Sequence, residues 1–167
     1  MELTFGAAFD KLDYMVQRGI IQMLIKRRDR YLKAMKLERV NAKVILLADT
    51  PGPGRPTDPD YHHTPFYSTR NSSLWINRLL WEHGIPETSL LWFNTTLADG
   101  TPLDSKIFFN QLDSTPKVIC LGGRAERWLN TRTLHRAPYE KVFHPQAWKR
   151  FHSKQRYPLL DVLAKSS

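Results

Sequence analysis

Three polar residues stand where apolar runs end in this 167-residue chain: Asp49 after VILLA, Asn94 closing LLWF, and His144 after YEKVF. A carboxylate can orient or deprotonate water and balance a nearby cation. A carboxamide both donates and accepts, and a neutral imidazole donates one hydrogen bond when its other nitrogen is held. Around His144, the stretch FHPQAWKRFH (143–152) adds a proline, a tryptophan, two cations and a second histidine. Each residue also has an ordinary use. Asp49 suits a turn cap before Pro51, Asn94 a strand-end turn, and His144 a hydrogen-bonded structural histidine.

Whether the three meet depends on the elements that carry them. Residues 8–37 repeat apolar side chains near helical spacing (Phe9, Leu12, Met15, Val16, Ile20, Met23, Leu24, Tyr31, Leu32), and the basic part, KRRDRYLKAMK, is expected to face outward. KVILLAD (43–49) reads as a buried strand running into TPGPGRPTDPD, whose prolines and glycines forbid regular structure. SSLWINRLLWEHGI (72–85) reads as a helix capped by Ser72 or Ser73 and stopped by Gly84. LLWFNTT (90–96), KVICLGG (117–123) and YEKVF (139–143) read as further strands, with helices at 104–113, after Gly123, and over 146–164. Such alternation predicts an α/β fold, a three-layer α/β/α sandwich around a central, mostly parallel four-stranded sheet. A single domain is expected, with residues 1–40 as a helical extension and 41–167 as the core. Ligands of such sheets bind beyond the carboxyl ends of the strands. Ala48–Gly54, Asn94–Thr96, Gly122–Gly123 and His144–Pro145 should therefore surround one cleft.

The charge is lopsided. The chain carries a formal +9, and residues 117–167 hold eleven basic side chains against three acidic ones. A clustered positive surface attracts and orients polyanions, which favours a nucleic-acid partner. No apolar run approaches a membrane span, and MELTFGAAFDKLDYM has no basic leader region, so a soluble, cytoplasmic monomer is the expectation. Cys120, the only cysteine, lies in the apolar run VICLG and excludes an internal disulfide or a four-cysteine cluster. GPGRPT is not a P-loop, GGRAERW is not a dinucleotide fingerprint, and no G-x-S-x-G elbow occurs. The spacing of His62, His63, His144 and His152 matches no standard metal-ligand pattern. No metal and no cofactor are expected.

The chain resembles the uracil-DNA glycosylase superfamily over about residues 42–165. ILLADTPGPG is similar to its first motif, TPFYSTRNSSLWINRLLWEHGI to its helix entry, and LLWFNTT to the strand ending in a base-reading asparagine. PKVICLGGRAERWL is similar to its third strand and glycine turn, and FHPQAWKR to its closing His-Pro motif. Ala48 stands where the first motif has glycine, and Gln146 where serine usually follows His-Pro.

The resemblance implies hydrolysis of the bond between a flipped-out base and its deoxyribose, in repair or in defence against modified foreign DNA. Asp49 would position water and balance the cationic sugar. Asn94 and Thr50 would contact the base, and Phe66 would stack on it, with Tyr67 the fallback. His144 would donate to the base oxygen where charge develops. Trp148 would fill the vacated stack; helix packing is the alternative for it, as a core position is for Phe66. Lys149 and Arg150 would hold phosphates, joined on the DNA side by Gln146 and Ser72. Gly52 replaces a tyrosine that crowds carbon 5 of the pyrimidine in the uracil-specific branch, which implies tolerance of 5-modified bases. Single- and double-stranded DNA are both open as substrates, and a catalytically silent DNA-binding module of the same fold is the competing reading.

Overall fold

A computed structural model describes residues 7–50, 63–113, 117–132 and 138–166. Four short strands, β1 (Val44–Ala48), β2 (Leu90–Asn94), β3 (Val118–Leu121) and β4 (Tyr139–Val142), form one sheet in the order β2-β1-β3-β4. Every pairing is parallel. The register sets Ala48 beside Asn94 and Leu121 beside Val142, so the strands finish at a common edge.

β1, β2 and β3 are buried at every position, as a sheet covered on both faces requires. Side chains alternate between two cores. Val44, Leu46, Ala48, Trp92, Ile119, Leu121 and Val142 join one core; Ile45, Leu47, Phe93, Val118 and Cys120 join the other. On the first face lie α3 (Asn71–Glu82), α6 (Pro145–His152) and α7 (Pro158–Lys165), contributing Ile76, Leu80, Trp148, Leu159 and Leu163. On the second lie α4 (Ser105–Leu112) and α5 (Gly123–Arg132), contributing Phe108, Trp128 and Leu129. The three-layer α/β/α architecture is therefore as the sequence implies.

The N-terminal helical region is two helices, α1 (Ala7–Asp10) and α2 (Tyr14–Met35). Asp13 starts the second by accepting from the Met15 N–H at 2.8 Å. Helix α2 takes part in both cores, with Met23 in one and Tyr31 and Ala34 in the other. Arg30 fastens it further, donating to the carbonyls of Asn41, Thr88 and Leu90. Met15 departs from the expected apolar stripe and is exposed, because it lies in the first turn, before the helix reaches the sheet. Gly19 faces the indole of Trp81 so closely that a Cβ there would collide with the ring, which sets how near α2 and α3 approach.

Two further boundaries differ from expectation. The last helix is divided: α6 ends at His152, and Pro158, whose missing N–H costs nothing at a helix start, begins α7. Neither Ser72 nor Ser73 caps α3; both lie within it, behind Arg70, whose side chain makes no capping hydrogen bond. Gly84, at φ +65°, ends the segment as expected. No helix among the described residues is long and apolar enough to cross a membrane.

Candidate active site

At the common strand edge, the ladder between β1 and β2 continues one step into the loops. Thr95 N–H donates to the Ala48 carbonyl and Thr96 N–H to the Asp49 carbonyl, each at 3.0 Å. The Thr95 hydroxyl adds a second bond to the Asp49 carbonyl, at 3.1 Å. Asp49 thus has a fixed backbone while its carboxylate stays partly open to solvent. The carboxylate lies 3.5 Å from the guanidinium of Arg124, which is itself 71% exposed. An ion pair so open contributes at most about 1 kcal/mol and can exchange partners.

His144 is held from three sides. Its Nδ1 accepts the Gln146 backbone N–H at 3.1 Å, capping α6. A neutral imidazole with Nδ1 as acceptor carries its proton on Nε2, which leaves one N–H donor for a ligand. Burial lowers the pKa of His144 below the ordinary imidazole value, against the opposing attraction of Asp49. The neutral donor form therefore persists at neutral pH. The Phe66 ring lies 5.6 Å from the imidazole between centroids.

The backbone beneath His144 is Gly122, at φ +102°, where an added Cβ would meet the His144 Cβ at 3.3 Å. Gly122→Ala is expected to cost about 1–3 kcal/mol and to displace His144. Gly123→Ala is the control, since nothing lies within 4 Å of its added Cβ. Thermal unfolding, with the histidine NMR resonance as site reporter, should move for the first variant and stay near wild type for the second.

Phe66 adopts φ +52°, unusual for a residue with a Cβ. Its ring also packs edge-on against Trp92, at 5.6 Å. The Asn77 amide donates to the Phe66 carbonyl at 2.9 Å and to the Ser68 carbonyl at 3.3 Å. From α2, Arg27 donates to the carbonyls of Pro65 (3.2 Å) and Phe66 (3.3 Å) and pairs with Glu87 at 2.7 Å. The same guanidinium lies 4.2 Å from the Trp92 ring centroid. A backbone conformation costing about 1–3 kcal/mol is thus held by a dense buried network.

Asn94, 2% exposed, follows Trp92 by two residues and so continues on its face of the sheet. Its amide donates to the His63 carbonyl at 3.3 Å, and the His63 ring accepts the Ala98 N–H at 3.2 Å. His63 therefore stands beside the candidate base-reading residue. Thr50 is exposed at the end of the described β1 loop, and Gly52 and His62 lie outside the described residues. Tyr67 is buried in a small cluster with Phe9, Ile20, Leu24 and Leu74, which leaves Phe66 as the aromatic facing His144.

Trp148 requires a correction. Expected as a DNA-inserting wedge, it is 8% exposed and belongs to the core. Its indole donates to the Gln155 carbonyl at 3.4 Å and packs on Phe143, His152 and Tyr157. The physical reason is helical direction: His144 caps the helix, and position 148, one turn later, returns to the sheet face. Gln146 and Arg150 are exposed, Lys149 is half-buried, and Ser72 is half-buried in the first turn of α3.

Three site residues were missed from sequence. Arg27 reads as the outward face of a basic helix, Asn77 as one position of an amphipathic helix, and Arg124 as part of a glycine turn. The available signal for Arg124 was its place just beyond the third strand; for Arg27 it was a spacing of four from Met23 and Tyr31. Cys120 is fully buried, and burial pushes its thiol up to about 12, so it takes no part in the site as a nucleophile. A scan against protein-family models finds no match to the chain, and a search of curated proteins finds none either.

Proposed function

We propose that the protein is a DNA glycosylase acting on a flipped-out uracil-like or 5-modified pyrimidine, as a cytoplasmic monomer in repair or in defence against modified DNA. The observation that carries this reading is the orientation of His144 at the strand edge. Its Nδ1 is occupied by a backbone N–H, and it lies close enough to Asp49 to feel that charge. In the reaction, the bond between sugar C1′ and the base nitrogen breaks and its electron pair leaves with the base. The His144 Nε2–H stabilises the negative charge growing on the base oxygen. Asp49 balances the cationic sugar and takes the proton from the water that attacks C1′. Phe66 stacks on the extruded base and the Asn94 amide reads its edge. Lys149, Arg150 and the other cations of the C-terminal third bind phosphates.

Tolerance of 5-substituents rests on Gly52, which offers no side chain to exclude them. The test is a panel of oligonucleotides carrying uracil, thymine or 5-hydroxymethyluracil, incubated with the protein and then treated with alkali to break abasic sites. Cleavage of the substituted bases is expected; cleavage at uracil alone would remove the tolerance of 5-substituents. The Asp49–Arg124 ion pair favours a second reading, a silent DNA-binding module in which that carboxylate faces a cation of its own chain. Binding across the panel with no alkali-sensitive site would select it.

A further inference from the structure

Two large apolar side chains that flank the His144-capped helix in sequence or lie on it are left open to solvent: Phe143, 59% exposed, and Phe151, 71% exposed. Phe143 directly precedes His144. It is rigidly mounted, with its ring 5.6 Å from that of Trp148 and 6.4 Å from that of His152, and its carbonyl accepting from the Tyr157 hydroxyl. Trp148 is thus the floor beneath an exposed ring. Phe151 has the guanidinium of Arg150 5.5 Å from its centroid. Residues 143–156 carry Lys149, Arg150, Lys154 and Arg156 and no acidic side chain. Arg156 pairs with Asp161 at 2.9 Å, and no carboxylate among the described residues pairs with the other three.

We propose that Phe143 and Phe151, with Lys149, Arg150 and Lys154, form a stacking platform for the unpaired bases of single-stranded DNA beside the nucleotide in the cleft. Exposed phenyl rings need exposed base faces. Bases in a duplex cover theirs with each other, whereas a single strand offers them, and the interleaved cations meet its phosphates. The proposal rests on the DNA-directed reading of the site and adds a strand preference to it. Phe143 and His144 are consecutive residues, so the platform begins at the residue next to the strand-edge histidine.

The experiment is fluorescence anisotropy of the full chain with a labelled 12-nucleotide oligothymidine and with the same strand in duplex. The single strand should bind more tightly. Phe143→Ala and Phe151→Ala should each weaken single-strand binding about ten-fold, the range for loss of one stacked base, and leave duplex binding unchanged. The slope of affinity against salt, which counts phosphate contacts, should stay the same. Both positions are exposed, and thermal unfolding confirms that the variants fold. Equal affinity for the two forms, or both variants binding oligothymidine like wild type, overturns the platform. The two readings fail separately. Tight, phenylalanine-dependent single-strand binding without base release removes only the glycosylase; base release with unaffected variants removes only the platform.

Discussion

Arg27→Ala should lower the unfolding free energy by about 3–5 kcal/mol, the cost of breaking a buried ion pair by removing one partner. The side chains of Arg27 and Glu87 are 1% and 2% exposed, so the Glu87 carboxylate would be left without its partner and without water. The Pro65 and Phe66 carbonyls lose a donor in the same step, and Trp92 loses the cation over its ring. Denaturant unfolding measures the loss. Arg27→Met combined with Glu87→Leu should recover most of it, because a buried pair replaced by apolar side chains of similar volume is often neutral. Recovery of stability should not restore the site, since the donor to the Pro65 and Phe66 carbonyls would still be missing. A single variant as stable as wild type would show that the pair is not buried in solution.

His144→Ala should slow base release about 10²- to 10³-fold, the usual loss on removing one donor from a developing negative charge. Its pH dependence follows from the lowered folded-state pKa. As pH falls, the unfolded chain binds the proton first, near the ordinary imidazole value, while folded His144 stays neutral to lower pH. Stability is therefore constant above the ordinary value, declines as pH falls below it, and levels off below the folded pKa. His144→Ala should flatten this part of the stability profile. An unchanged slope in the variant would assign the titration to another group.

Most of the fold was legible because the pattern of apolar runs has few solutions. VILLA, LLWF and VICL are too apolar for surface strands and too short for helices, and the segments between them carry helical spacing. The strand ends followed directly, so the register that pairs Ala48 with Asn94 places Asp49 and Asn94 as expected. Less legible were residues whose type misstates their environment. Arg27 sits in a basic run, yet the Glu87 carboxylate sixty residues away makes its burial tolerable, and that long-range pairing leaves no local signal. Trp148 carries the chemistry of a wedge, but its side chain follows the helical turn back to the core. Phe143 and Phe151, two rings that do reach solvent, have no spacing that marks them as exposed.

The activity proposed for this strand edge is breakage of the bond between base and sugar. Its most direct test is mass-spectrometric detection of free base after incubation with a single-stranded oligonucleotide containing one 5-hydroxymethyluracil. The wild-type protein should release the base and leave an intact strand with an abasic site. Asp49→Asn should lose about 10²- to 10⁴-fold in rate, as for removal of a positioned base, and His144→Ala nearly as much. Binding without any released base, or release by both variants at the wild-type rate, would contradict the assignment.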